Sequence, residues 1–260
     1  MSYETLLCVI EQGVATVTLN RPKVLHALNT QAFDELERVF LALTSQDEVR
    51  VILLTGAGEK AFAAGTDIKE LVGTNPVTGE IKARRGQSVL RLIENCGKPV
   101  IALINGFALG GGCELALACT LRIASETAKL GQPEVKLGLI PGYGGSQRLP
   151  RLVGQSAALK LLMTGEIIGA AEALHIGLVD EVVLASHLLA RGEELARMMV
   201  AVAPLAMTAC LEAVRRGSHV ELEDALDIEA EIFGRLCGTN DKTEGTAAFL
   251  EKRSPNWTGQ

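Results

Sequence analysis

Glycine constrains this chain more than any other residue type. It fills 27 of 260 positions and gathers in three segments. These are Ala63-Ala-Gly-Thr-Asp67, Asn105-Gly-Phe-Ala-Leu-Gly-Gly-Gly-Cys-Glu114 and Gly138-Leu-Ile-Pro-Gly-Tyr-Gly-Gly-Ser146. The middle segment is the most informative. The apolar run Pro99–Ile104 reads as a buried strand, Gly110-Gly-Gly112 follows it, and Gly110–Cys119 reads as a helix. Glycine lets a backbone approach a ligand closely. The first N–H groups of a helix lack internal partners, and the helix dipole favours negative charge there. An N–H within Gly110–Gly112 is therefore a natural donor to an anionic oxygen. The segment is no P-loop, since Gly111 is followed by Gly112 and not by lysine. No GxGxxG opens a helix after a strand, and Ser146 sits in Gly-Gly-Ser-Gln-Arg, outside any GxSxG elbow.

The rest of the pattern predicts an α/β layered domain. Thr5–Gln12 and Val14–Leu19 read as an antiparallel pair about Gly13, and Val51–Thr55 and Leu121–Ala124 as further strands. Gln31–Thr44 and Ala83–Cys96 carry helical spacing. After Leu184 the pattern changes to helices alone: Ser186–Val202, Pro204–Arg216, Glu221–Leu236 and Thr243–Lys252. The expected organisation is a core over residues 1–185 and a helical region over 186–260.

Composition closes off several function classes. Net charge is −6 with no dense Lys/Arg tract, and the nine aromatics offer no base-stacking platform, which argues against nucleic acid. No apolar run reaches the roughly 18 residues of a membrane span. The six cysteines form no CxxC pair and read as reduced, mostly buried thiols in a cytoplasmic setting. The four histidines show no HExxH spacing, so no metal is expected. Met1–Gln12 lacks the pattern of a signal or transit peptide, and the sequence near Gln260 is no peroxisomal address.

Two carboxylates lie beside the glycine-rich backbone. Glu114 follows Gly110–Gly112 within a turn, and Glu134 ends Gly131-Gln-Pro-Glu134. Acid/base chemistry on a carbonyl compound needs one group to accept a proton and another to give one, with backbone donors for an enolate. On the middle segment alone, a tight turn with a solvated glutamate fits equally well.

Together these strings resemble the crotonase superfamily, and within it the enoyl-CoA hydratases. The strings are Asn20-Arg-Pro-Lys-Val-Leu-His-Ala-Leu-Asn29, Lys60-Ala-Phe-Ala-Ala-Gly-Thr-Asp-Ile-Lys-Glu70, Asn105–Glu114, Gly131–Glu134, Pro141-Gly-Tyr-Gly-Gly-Ser-Gln-Arg-Leu149 and Ala248-Phe-Leu-Glu-Lys-Arg253. The resemblance covers essentially the whole chain. It implies the ClpP/crotonase-like fold: a superhelix of repeated ββα turns, then helices that build a trimer or a dimer of trimers. It implies hydration of a trans-2-enoyl-CoA to a 3-hydroxyacyl-CoA, with CoA as part of the substrate and no cofactor. Its catalytic glutamates fall on Glu114 and Glu134, its oxyanion-hole N–H groups on Thr66 and Gly111, and a loop glycine beside the attacking water on Gly142. Its CoA contacts fall on Leu25, Lys60, Ala64, Lys69, Phe249 and Lys252. Thr66 and Tyr143 stand where alanine is common, and His26 where asparagine or lysine is; His26 is expected on the surface and Asp67 as a loop or cap residue. Within the resemblance, a Δ3,Δ2-enoyl-CoA isomerase and a non-enzymatic acyl-CoA or RNA-binding relative are the alternatives.

Overall fold

The computed structural model describes residues 3–260. The chain runs as successive strand–strand–helix turns: β1 (Leu6–Glu11), β2 (Val14–Leu19) and α1 (Thr30–Thr44); β3 (Val51–Gly56), β4 (Ala61–Ala63) and α2 (Pro76–Glu94); β5 (Val100–Ile104), β6 (Phe107–Leu109) and α3 (Gly111–Leu117); β7 (Leu121–Ser125), β8 (Lys129–Gly131) and α4 (Gly145–Val153). Then follow α5 (Gln155–Thr164), β9 (Ile167–Gly169), α6 (Ala170–His175) and β10 (Glu181–Val183). The tail is helical: α7 (Leu188–Val200), α8 (Pro204–Gly217), α9 (Leu222–Cys237) and α10 (Asn240–Glu251).

From the second turn to the fourth, the first strand joins one sheet and the second strand joins another. The larger sheet has the order β1-β2-β3-β5-β7-β10, the smaller β4-β6-β8-β9. All pairings are parallel except β1 with β2 and β8 with β9. This is the repeated ββα superhelix of the crotonase-like fold. Every residue of β5 and nearly every residue of β3 is buried, as a parallel strand covered on both faces requires. The apolar face of α1, with Phe33, Leu36, Val39, Phe40 and Leu43, closes one side of the core, and Asn29 caps its start by accepting the Ala32 N–H. On the other side α7 lies across the larger sheet. Gly192 makes that contact fit, because a Cβ there would stand 2.6 Å from Leu103 of β5. The segment after α10 folds back: buried Asp241 accepts the N–H groups of Thr258 and Gly259, and the Trp257 indole donates to the Ala201 carbonyl.

Some sequence expectations need correction. Helix α2 begins at Pro76, seven residues before the expected Ala83. Asn75 and Thr78 form a capping box, and Pro76 takes the first helical position, where its missing N–H costs nothing. The strands β4, β6, β8 and β9 are three residues each, too short to show any period. All six cysteines are free, but only Cys96, Cys113 and Cys119 are buried, with Cys210 and Cys237 exposed. His26 is 3% exposed and is no surface residue.

Candidate active site

Strands β4, β6 and β8 lie side by side and parallel, so the segments that leave them emerge at one edge of the smaller sheet. Residues 64–67 follow β4, Gly110 and Gly111 follow β6, and Gln132–Glu134 follow β8. The Gly110 N–H donates to the Gly131 carbonyl at 2.9 Å, which ties the second exit to the third. Gly112 ties the first to the second: a Cβ there would meet the Ala63 carbonyl at 1.9 Å, so α3 can start directly against the end of β4. Gly110 itself has φ 50° and ψ −123°, a backbone shape open to glycine, and a Cβ on it would crowd Glu134 Oε1.

A cavity of about 440 Å³ opens over this edge. Thr66, Glu114, Glu134, Gly142 and Tyr143 line it, with Ala83 and Gln87 of α2 on the facing wall. A second hollow of about 130 Å³ adjoins it, sharing Thr66 and Glu134 and adding Ala64 and Gly110. Gly111 packs against two of the lining residues: a Cβ on it would lie 3.0 Å from Thr66 Oγ1 and 3.1 Å from the Tyr143 ring. Neither the Thr66 N–H nor the Gly111 N–H has an acceptor among the described residues. Thr66 lines the cavity and Gly111 packs against its Thr66 and Tyr143 walls, and each N–H is an orphan donor of the kind that a ligand oxygen satisfies.

Glu114 is buried on α3, and its Oε1 accepts the N–H groups of Tyr143 and Gly145, each at 2.7 Å. Burial pushes its carboxyl up to about 7, the two N–H bonds oppose that rise, and the charge of Glu134 adds to it. Glu134 is half-buried and is also raised, by burial. Its Oε2 has no partner among the described residues. Glu114 can exchange a proton near neutral pH, which a solvated glutamate cannot, and Glu134 is shifted in the same direction.

Tyr143 holds the constellation together, a part the sequence did not reveal. Its ring rests on Gly86 of α2, where a Cβ would come within 2.1 Å, and meets Phe33 edge-on at 5.0 Å between centroids. Its hydroxyl accepts from Thr66 Oγ1 at 3.1 Å, and its N–H holds Glu114. Gln87 donates to the Gly142 carbonyl at 2.9 Å. Gln132 is buried, and neither its amide nitrogen nor its amide oxygen has a partner among the described residues. Its place in Gly-Gln-Pro-Glu, two residues before Glu134, is the one sequence signal that pointed to it.

The other residues picked out from sequence lie elsewhere. Leu25 is half-buried and lines neither hollow, although its carbonyl accepts the Ala64 N–H at 2.9 Å. Lys60 and Lys69 are exposed on either side of residues 61–67. Phe249 is 84% exposed on α10, Lys252 follows it in the left-handed conformation, and within one chain neither reaches the cavity. Asp67 is a cap, accepting the Lys69 N–H and pairing with Arg21 at 3.2 Å. Among the described residues no group of three or more His, Cys, Asp or Glu side chains is placed to hold a metal ion.

Comparison with known proteins agrees with this arrangement. The pattern of the family described as "Enoyl-CoA hydratase/isomerase" matches residues 9–260. The short-chain-enoyl-CoA hydratase of Clostridium acetobutylicum is 46% identical over 253 residues, covering 97% of each chain. The crotonyl-CoA hydratase of Syntrophomonas wolfei is 43% identical over 257 residues, covering 99% of each. Among solved structures, an enoyl-CoA hydratase from Bacillus anthracis superposes with a TM-score of 0.96 at 39% identity, covering 99% of this chain and 100% of that one. With the ββα superhelix, the cavity and these full-length likenesses in agreement, the chain belongs to the enoyl-CoA hydratase/isomerase family of the crotonase superfamily.

Proposed function

We infer that the chain is an enoyl-CoA hydratase, adding water syn across the double bond of a trans-2-enoyl-CoA to give the 3-hydroxyacyl-CoA. One observation carries this reading: two raised carboxyls, Glu114 and Glu134, share a cavity with Thr66, whose N–H is partnerless, and the partnerless N–H of Gly111 belongs to a residue packed against the Thr66 and Tyr143 side chains of that cavity. The thioester oxygen sits between these N–H groups, which stabilise it as enolate charge develops. Glu114 acts as base toward the water, beside Gly142, and its hydroxide adds to the β-carbon. Glu134 delivers a proton to the α-carbon. The water's proton on Glu114 and the one lost from Glu134 balance, and the pair is reset by exchange with solvent. No redox step occurs, so CoA enters only as part of the substrate. A Δ3,Δ2 isomerase needs one carboxylate to shuttle a proton; two raised carboxyls at one cavity favour hydration.

Short-chain substrates fit best, supported by the names of the two relatives and by the narrow wall that Thr66 and Tyr143 form. Lys60, Lys69, Leu25 and Ala64 are assigned as CoA contacts on the family resemblance, and Phe249 with Lys252 as contacts to the site of a neighbouring subunit. Residues 1–185 then form the core and 186–260 the region for assembly as a trimer or dimer of trimers. The setting is cytoplasmic acyl-CoA catabolism such as β-oxidation, without nucleic acid or membrane; no single described helix is long and apolar enough to cross a bilayer.

The deciding experiment follows loss of the enoyl-thioester absorbance of crotonyl-CoA, beside conversion of a 3-enoyl-CoA to its 2-enoyl isomer. Rapid hydration with slow isomerisation is expected. Isomerisation without hydration would overturn the reading.

A further inference from the structure

The stretch Arg21–Leu28 is not part of the cavity, yet it is built against residues 64–67. Leu25 and His26 both adopt left-handed backbone, with φ 50° and 58°. Consecutive non-glycine residues there are strained and persist only where the surroundings impose them. The surroundings are specific. The Ala64 N–H donates to the Leu25 carbonyl at 2.9 Å, the Leu28 N–H to Gly65 at 2.7 Å, and the Asp67 N–H to Leu28 at 2.8 Å. Thr66 is thus clasped on both sides by the 25–28 stretch, and Leu28 bridges it directly.

One side chain fixes that stretch in turn. His26 is buried, and both ring nitrogens are used. Nδ1 accepts the Arg21 N–H at 2.9 Å. The neutral ring therefore carries its proton on Nε2, which donates to the Ala57 carbonyl at 3.0 Å. Ala57 directly follows β3, so the ring pins the turn to the sheet from which β4 departs. Protonation would place an N–H on Nδ1 facing the Arg21 N–H and remove one of the two bonds. Burial of the ring opposes protonation most, and one neighbouring positive charge adds to it. The Arg21 guanidinium lies close, held by Asp67 and the Ala27 carbonyl. Past Ala57, the charged side chains Glu59 and Lys60 are exposed to solvent.

We propose that His26 is a positioning residue for the reaction: in its neutral form it clips the 21–28 turn to Ala57, and that turn holds the Thr66 N–H at the cavity. The inference rests on the hydratase reading for its kinetic consequence, but its structural half stands apart. Asparagine is the informative substitute. It tolerates left-handed backbone, its Oδ1 can replace Nδ1 as acceptor, and it does not titrate. Alanine removes both bonds.

The test measures kcat and KM for crotonyl-CoA from pH 5 to 8 in the wild type, His26→Asn and His26→Ala. Removing an oxyanion donor outright costs about 10²–10³ in rate, and displacing one should cost less, so His26→Ala is expected to lose about tenfold in kcat at pH 8 with KM changed under threefold. His26→Asn should recover most of that loss. In the wild type, log kcat/KM should fall with a slope near one as Glu114 takes up its proton, then steepen at lower pH as His26 does; His26→Asn should keep the first limb and lose the steepening. In parallel, NMR of isotope-labelled histidine should show the His26 ring neutral with the proton on Nε2 to below pH 6.5, and the Thr66 amide moving when that ring titrates. Wild-type kcat in His26→Ala, or identical acid limbs in the wild type and His26→Asn, would overturn the proposal. So would a His26 ring that titrates without the Thr66 amide responding. If the wild type fails to hydrate crotonyl-CoA the hydratase reading falls, and the NMR titration alone decides whether His26 positions residue 66. If His26→Ala does not fold, His26→Asn and the titration decide.

Discussion

Glu114, the proposed base, is held at a cost to the fold. A carboxyl raised from 4.5 to about 7 binds its proton more tightly in the folded chain than in the unfolded one. Stability is then fully present below pH 4.5 and declines as pH rises toward 7, because the ionised form is buried. At 1.36 kcal/mol per pH unit the penalty reaches about 3 kcal/mol. Glu114→Gln keeps an oxygen for the Tyr143 and Gly145 N–H groups but cannot ionise. We expect it to melt at a higher temperature than the wild type at pH 8 and at nearly the same one at pH 4.5, as calorimetry would show. Its kcat should drop about 10²–10⁴-fold, and that of Glu134→Gln likewise, since positioned acids and bases contribute that much. A variant keeping a tenth of wild-type kcat would contradict its assigned role. Thr66 tests the other half of the site. If its backbone N–H is the working donor, Thr66→Ala retains most activity, whereas Thr66→Pro loses the donor and the activity. The proline result counts only where circular dichroism shows a native fold.

Elements carry a different kind of information, and here the sequence was readable only in part. The strands β3 and β5 showed as apolar runs because they are covered on both faces, and β7 as a short strand after α3. The three-residue strands of the smaller sheet left no such trace, yet they set the site. Glu114 and Glu134 stood out beside glycines, but only the resemblance made them a pair. His26 was misread because its two partners, Arg21 N–H and Ala57 carbonyl, come from a turn and a strand end that no pattern brings together. The start of α2 was also missed, although Asn75-Pro76 spelled it out. Where α2 meets Tyr143, packing allows nothing larger than glycine. Gly86→Ala would drive a methyl group into the ring, at 2.1 Å from Cδ1. Overpacking of this kind costs about 1–3 kcal/mol. Because the displaced ring belongs to the residue whose backbone N–H holds Glu114, we expect both a lower melting temperature and a lower kcat, whereas Asn75→Ala, which removes only the cap, should cost about 1 kcal/mol and leave kcat within twofold.

At the scale of the molecule, the tail leaves Val214, Leu222, Phe233, Phe249 and Leu250 each at least two-thirds exposed. Faces of that kind mark contact with another protein surface. Light scattering should find trimers or hexamers of the 27.6 kDa chain, and a stable monomer at micromolar concentration would refute the assembly. The smaller sheet has a further consequence. Adjacent strands stand about 4.8 Å apart, so the exits of β4, β6 and β8 are laid out like marks on a ruler. Read along that ruler, the order is Thr66, Gly111, Glu134. In the proposed reaction this is also the order of the substrate's own atoms: the thioester oxygen between the first two marks, the α-carbon by the third. A linear molecule is thus met by a linear array, and sliding it by one strand spacing would bring the proton donor to the wrong carbon. Regiochemistry, on this view, is written in the strand order before any side chain is chosen.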